Sequence, residues 1–178
     1  MKWLRLRRSL KVIYRTKTYI AGDWTGDKDA IDKLYSWKKS NFYNLDFVDA
    51  HEFHKSNDKS FNCSIKDNLR VRMDGSKKFV LIVGDKTDSV TAGSCSYCNS
   101  YNSFWGTCNR NNATSKKSYI QYECDKASRD EMEIIVLYNY SYIAKSKCPE
   151  VLRNKGNHVA MKYSDGTWNY NAVKNALM

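Results

Sequence analysis

Two unbroken apolar runs most constrain how this chain can fold. They are "FVLIV", within residues 77–84, and "IIVLY", within residues 133–139. A strand with one face in water alternates apolar and polar residues, whereas a strand covered on both faces is apolar throughout. The two runs therefore predict central strands of a parallel sheet that is covered by helices on both faces.

Strand and helix patterns alternate along the rest of the chain. Further strands are predicted at 17–22, 45–50 and 158–163. Residues 23–40 are predicted to form a loop and then a helix, and further helices are predicted at 61–73, 118–127 and 170–178. Asp27 is the expected N-cap of the first helix. This alternation predicts an α/β fold: an open, mostly parallel sheet with helices on both faces, arranged as a flavodoxin-like three-layer sandwich spanning residues 15–178.

The positive charge is concentrated at the N-terminus. Residues 1–17 carry seven Lys and Arg and no acid, and without them the net charge of +11 falls to +4. Residues 1–14 are therefore interpreted as a basic arm. It could bind phosphate backbones or anionic lipid, remain solvated, or dock on the domain. Since no apolar run approaches the ~20 residues of a membrane span and no signal sequence is visible, we expect no membrane span and a cytoplasmic protein.

Candidate binding residues follow the ends of the predicted strands. In open α/β sheets, ligands bind beyond the carboxyl ends of the strands, where the strand order reverses. Asp23 and Trp24 follow the first predicted strand, His51 follows the second and Lys86 follows the third. These four residues are the predicted substrate-binding set.

One acidic residue lies on the apolar side of a predicted helix. In "SYIQYECDKA", at 118–127, Glu123 projects from the side that carries the apolar residues Tyr119, Ile120, Cys124 and Ala127. Such a carboxylate could pair with a nearby Arg or Lys, or benefit from the helix dipole. It could also face a ligand.

A polar insertion at residues 85–117 interrupts the alternation and is too long for an ordinary connection. Within it, Cys95 and Cys98 form a CxxC pair, and Cys108 follows, so these three are candidate metal ligands. A fourth ligand would have to come through the fold from His51, His54 or Cys63. In a cytoplasmic chain we expect these cysteines to be reduced thiols, and we expect no cofactor. The alternatives are a structural zinc site and a disulfide or redox pair.

The same insertion is rich in aromatic residues, namely Tyr97, Tyr101, Phe104 and Trp105. Aromatic residues interleaved with basic ones can stack on single-stranded nucleic acid. They can also form a small core within the insertion or cover a partner surface. A small core or a covered partner surface is preferred over stacking on nucleic acid, so nucleic acid is not an expected partner.

Four segments resemble the TIR-like domains of bacteria. They are "KTYIAGDW", "FVDAHEFHKSND", "KKFVLIVGDKT" and "SYIQYECDKA". The chain resembles the TIR-like subunit of the Thoeris antiphage system and its relatives, over about Arg15 to Asn139. The most specific segment runs from Tyr119 to Glu123, an aromatic residue followed by a glutamate near a helix start. Here Tyr119-Ile120 replaces the family's usual Trp-Cys, and "AGDW" replaces its usual Ser-Tyr ending of the first strand.

The resemblance implies a signalling or defence enzyme that cleaves NAD at the nicotinamide–ribose bond and gives a linear or cyclic ADP-ribose product. It implies that Glu123 is catalytic. On position, Trp24 would stack on nicotinamide and Asp23 would bind a ribose hydroxyl. The implied partners are NAD or a related nucleotide, further copies of the chain and a separate effector protein.

Two alternatives to the enzyme remain. A non-catalytic TIR-like module would act by self-association or partner binding. A phospho-acceptor receiver domain fits less well, because it needs an Asp after its third strand and a Lys after its fifth, and here Lys86 follows the third strand.

Overall fold

The structure is a computed structural model that describes residues 16–43, 45–48, 62–109 and 114–178. The basic arm, His51 and His54 lie outside the described residues. The described strands, in chain order, are β1 (Lys17–Ala21), β2 (Ser76–Val83), β3 (Tyr101–Asn102), β4 (Thr107–Cys108), β5 (Glu133–Tyr138) and β6 (Asn157–Ala160). The described helices are α1 (Lys28–Lys39), α2 (Asn62–Asp74), α3 (Tyr119–Arg129) and α4 (Tyr170–Leu177).

Four of these strands form a wholly parallel sheet in the order β1-β2-β5-β6. The two strands predicted from unbroken apolar runs, β2 and β5, lie at its centre. Residues 79–83 and 134–138 are buried throughout. The predicted α/β fold with helices on both faces is therefore confirmed.

Alternate residues of each strand point to opposite helical layers. Ile20, Val80 and Leu137 face the layer formed by α1 and α4. Tyr19 and its neighbours on β2 and β5 face the layer formed by α2 and α3. Each fully buried aliphatic or aromatic side chain contributes on the order of 1.5–3 kcal/mol, so both layers are held to the sheet by apolar packing.

The second predicted strand, at 45–50, is less regular than expected. Residues 45–48 are extended but form no ladder, and residues 49–50 lie outside the described part. One backbone hydrogen bond of 2.6 Å joins the Thr18 N–H to the Val48 carbonyl, at the edge of β1 away from β2. If residues 45–48 are counted as part of the sheet, the spatial order is 45–48, β1, β2, β5, β6. The chain then runs from β1 outward to 45–48 and returns to β2, so the strand order reverses between β1 and β2.

Two other features differ from or add to the sequence expectations. The last strand, predicted at 158–163, ends at Ala160, and Lys162 instead forms an isolated antiparallel bridge with Trp168. In the polar insertion, β3 and β4 form a short antiparallel hairpin after a 3₁₀ turn at Cys95–Tyr97. None of the described helices is long and apolar enough to cross a membrane.

Candidate functional site

The loops after β1 and β2 begin side by side at the carboxyl edge of the sheet. Ala21 is in register with Leu81, and Gly22 lies so close to Ile82 that a Cβ on Gly22 would stand 3.3 Å from the Ile82 Cβ. The predicted binding residues after these two strands therefore share one edge, at the point where the strand order reverses. This is the expected ligand position in an open α/β sheet.

The described members of the predicted binding set differ in their surroundings. Asp23 is half-buried, and its Oδ1 accepts the Thr25 N–H at 3.0 Å within its own loop. Lys86 is exposed. Trp24 is 46% exposed, and its ring centroid lies 6.4 Å from that of Tyr35 on α1. Trp24 therefore leans toward the layer that contains α1.

Asp27 is the buried carboxylate of this edge. It occupies the N-cap position of α1, as predicted, but its side chain makes no capping hydrogen bond. Instead it accepts the Asn139 side-chain N–H at 3.3 Å and the Thr87 hydroxyl at 3.5 Å. Burial raises the pKa of Asp27 from 3.8 to about 6, although the hydrogen bond from Asn139 lowers it.

Gly84 is required where Asp27 enters the edge. A Cβ on Gly84 would lie 1.6 Å from Asp27 Oδ1, so a larger residue after β2 would displace the carboxylate. The Gly84 N–H donates to the Thr87 hydroxyl at 2.8 Å, which places Thr87 beside Asp27. The sequence reasoning did not identify the roles of Asp27, Thr87 and Asn139 here. Only their position in the sequence could have indicated these roles, because Thr87 and Asn139 closely follow the ends of β2 and β5.

Two outer acids complete the edge. The Tyr140 hydroxyl donates to Asp85 Oδ1 at 2.6 Å, and this hydrogen bond lowers the pKa of Asp85. Asp29 accepts the Asn139 side-chain N–H at 2.9 Å and forms an ion pair of 3.3 Å with Lys162. The carboxyl ends of β1, β2 and β5 thus carry a connected set of carboxylates, amides and hydroxyls.

Glu123 lies away from this edge, inside the protein. The helix that carries it, α3, begins with a capping box: Ser118 Oγ accepts the Gln121 N–H at 3.1 Å, and Gln121 Oε1 accepts the Ser118 N–H at 3.0 Å. This start directs the apolar side of α3 onto the sheet. Glu123, in the middle of that side, is only 6% exposed. The predicted helix and the inward position of Glu123 are confirmed.

The Tyr19 hydroxyl donates to Glu123 Oε1 at 2.5 Å. Burial raises the pKa of Glu123 from 4.5 to about 7, while the hydrogen bond from Tyr19 and the positive charge of Arg72 lower it. A carboxyl with this pKa exists in both protonation states near neutral pH.

The structure does not bring Glu123 and Trp24 together. Tyr19, the partner of Glu123, is the third residue of β1 and faces the layer of α2 and α3. Trp24 leans toward the layer of α1, on the other side of the sheet. The catalytic role of Glu123 and the stacking role of Trp24 remain predictions.

A cavity of about 580 Å³ lies on the outer side of α3. Its lining has mixed charge and includes Asp88, Lys117, Gln121, Asp125, Glu150 and Arg153. This volume is in the range of small-molecule sites. A second cavity, of about 280 Å³, adjoins it through Asp88 and Gln121. Glu123 lines neither of these two cavities.

The three cysteines of the insertion meet a fourth. Cys95, Cys98 and Cys108 line a cavity of about 10 Å³ together with Cys63 of α2. All four are free thiols. Within the described residues, no group of three or more His, Cys, Asp or Glu side chains is already arranged to hold a metal ion.

The aromatic residues of the insertion do not form a core of their own. Tyr97, Phe104 and Trp105 are 71–83% exposed, and the rings of Phe104 and Trp105 contact each other at a centroid distance of 4.9 Å. The interpretation of these three residues as a small internal core is therefore wrong.

Comparison with known families shows a similarity over part of the chain. Residues 19–92 match the family described as "Thoeris protein ThsB, TIR-like domain". The match runs from β1 to the turns after β2, so it contains Asp23, Trp24 and Lys86 and ends before α3. Glu123 lies outside it. No curated protein matches the chain significantly.

Proposed function

We propose that the chain belongs to the TIR-like domain family of the Thoeris ThsB proteins, which residues 19–92 match, and that it cleaves NAD in antiphage defence signalling. The bond broken is that between nicotinamide and ribose. The observation that carries the proposal is Glu123, whose burial raises its pKa to about 7. Strongly perturbed carboxyl groups are concentrated at functional sites.

The chemistry requires an anion close to the ribose. As the C1′–N bond breaks, its electron pair leaves with nicotinamide and positive charge develops on the ribose. A carboxylate aligned with that charge stabilises the transition state, as in glycoside hydrolysis. Water, or a nucleophile of the same ADP-ribose, then bonds to C1′ and releases its proton to solvent. The product is linear ADP-ribose in the first case and cyclic in the second.

The substrate would bind at the carboxyl edge of the sheet. Trp24, which is 46% exposed, would stack on the nicotinamide ring, and Asp23 would accept a ribose hydroxyl. Lys86 would contribute positive charge for the pyrophosphate from the neighbouring loop, and His51 belongs to the same proposed set. The adjacency of the loops after β1 and β2 supports this arrangement.

Glu123 must change its environment for this chemistry. In the described state its carboxylate is buried and accepts the Tyr19 hydroxyl, on the opposite face of the sheet from Trp24. We propose that this is a resting state, and that activation moves Glu123 toward the edge of the sheet. Self-association and a separate cytoplasmic effector protein would then relay the product signal.

Burial of Glu123 also favours a second function. A carboxylate that accepts the Tyr19 hydroxyl and lies near Arg72 can serve to position α3 against β1 and α2. The domain would then act by binding copies of itself or a partner, without turnover. NAD binding without nicotinamide release would support this function.

The experiment measures nicotinamide released from NAD by the purified chain, both dilute and concentrated, and in lysates of phage-infected cells that express it. We expect release from the wild type in at least one condition and its loss in Glu123→Gln. Asp125→Asn is the matched control, because Asp125 lies on the same helix but pairs with Lys117 on its outer side. It should retain release.

Release that persists in Glu123→Gln would remove Glu123 from the mechanism. If no condition yields nicotinamide while NAD or self-association is detected by calorimetry or sedimentation, the non-catalytic function is correct.

A further inference from the structure

We propose that Cys63, Cys95, Cys98 and Cys108 form a structural zinc site. The four residues come from three separate segments: α2, the 3₁₀ turn of the insertion and the hairpin strand β4. The fold brings all four thiols to one cavity. Four cysteine sulfurs, two of them from a CxxC pair, are a complete ligand set for tetrahedral zinc.

The size of the cavity selects the class of ligand. Its volume of about 10 Å³ is close to that of one water-sized sphere. It therefore has no room for an organic molecule, but it does have room for a single ion. Among common ions, sulfur ligands favour zinc over magnesium and calcium, which prefer oxygen.

Backbone hydrogen bonds fix the position of the CxxC pair. The Ser115 N–H donates to Cys95 Sγ at 3.2 Å, and the Cys98 N–H donates to the Cys95 carbonyl at 2.9 Å. Hydrogen bonds to ligand atoms orient them and stabilise their charged form. The turn therefore holds the sulfur of Cys95 in a fixed place beside the cavity.

Lys66 supplies an independent electrostatic argument. It is a lysine only 7% exposed, and its Nζ donates to the Lys117 carbonyl at 2.6 Å, not to a carboxylate of the described residues. Burial lowers the pKa of Lys66. Zinc with four thiolates carries a net charge of −2, so Lys66 would offset part of that charge.

The insertion also needs a source of order that its apolar residues do not supply. Its large side chains Tyr97, Phe104 and Trp105 face solvent, and its strands have two residues each. Small loop-rich segments without a core are commonly held by metals or disulfides. A zinc ion would join the turn and the hairpin to α2.

The four cysteines line the cavity, but as described no three of them are placed to hold a metal ion, so binding requires their sulfurs to move. Rotation about χ1 can bring the sulfurs of Cys63, Cys98 and Cys108 toward that of Cys95 without moving the backbone. On binding, each thiol that coordinates zinc loses its proton to solvent, so four protons are released when all four begin protonated.

The test is elemental analysis of the full chain purified under reducing conditions without chelator. We expect about one zinc per chain. Cys63→Ser and Cys98→Ser should lose zinc, while Cys124→Ala, which alters a core thiol of α3, should retain it. Circular dichroism of each variant reports whether the sheet and helices persist.

A second measurement does not depend on variants. Cobalt(II) is added to wild-type chain from which metal has been stripped. Four thiolate ligands give the intense visible and near-ultraviolet absorption of tetrahedral cobalt–thiolate, which added zinc abolishes. A chain without zinc whose thiols give no such spectrum, or a disulfide between any two of the four cysteines in freshly lysed cells, would overturn the proposal.

Discussion

Replacing Glu123 by Gln should change how the stability of the protein depends on pH. Gln has nearly the same shape and can still accept the hydrogen bond from Tyr19, but it does not titrate. The substitution therefore isolates the protonation of Glu123 from its packing. Any absolute change in stability from the new amide is the same at each pH.

The sign follows from the raised pKa. Glu123 titrates near 4.5 when unfolded and at about 7 when folded. Between these values the folded state holds a proton that the unfolded state has released, so stability falls as pH rises. Each tenfold change in acid constant is worth about 1.36 kcal/mol, and the wild type should lose roughly 2.5 kcal/mol through Glu123 between about pH 5 and pH 8.

The assay is urea unfolding of both proteins at pH 5 and pH 8. The free energy of unfolding of Glu123→Gln, taken relative to the wild type, should increase by roughly 2–3 kcal/mol from the lower to the higher pH. Asp27 has the same sign of dependence, because its pKa is also raised. It is present in both proteins, so its contribution cancels as long as the two sites are independent.

A relative stability that does not vary with pH would refute the reasoning. It would mean that Glu123 reaches solvent in the folded protein, or that a cation neutralises it there. Tyr19→Phe is a second check, because it should increase the pH dependence of stability that Glu123→Gln removes. It removes a hydrogen bond that lowers the pKa of Glu123, so it should steepen the loss of stability with pH.

Two further substitutions test the local geometry. Gly84→Ala should destabilise the protein by roughly 2 kcal/mol or more, because the new Cβ collides with buried Asp27; thermal unfolding measures it. Gly75→Ala is the control, since its Cβ would meet no atom closer than 3.7 Å, and an equal loss in both would contradict the steric reason. Ser118→Ala removes one half of the capping box of α3 and should cost about 1 kcal/mol. An unchanged midpoint in urea would show that Gln121 alone sustains the helix start.

The sequence was sufficient for the layers of the fold because burial leaves local patterns. The unbroken runs of β2 and β5 correspond to burial on both faces, and the apolar side of α3 is the side that meets the sheet. The segment at 45–50 was harder. Its apolar pattern reflects packing of Leu45 and Phe47 against the α1 layer, but a ladder also needs backbone pairing, which no local pattern records.

The site was less predictable, since its contacts join residues distant in the chain. Asp27 has the sequence context of an N-cap, and only Asn139, 112 residues later, directs it to the edge of the sheet. Cys63 has the context of a helix core residue, and only the folded insertion places it with Cys95 and Cys98. Strand ends indicated where polar groups would gather, but not which of them would pair.

Glu123 shows the limit of pattern reasoning most clearly. Helical spacing established that its carboxylate points inward, but an inward position can be a packed interior or a ligand cavity. The Tyr19 hydroxyl, 104 residues away, decides this for the described state. An ionised carboxylate in that interior is disfavoured by roughly 3 kcal/mol relative to water, from the displacement of its pKa. Under the proposed mechanism, this cost favours any state that places the anion beside a cation, and a ribose losing nicotinamide is such a partner. The burial that conceals Glu123 at rest would then help to drive it toward the substrate.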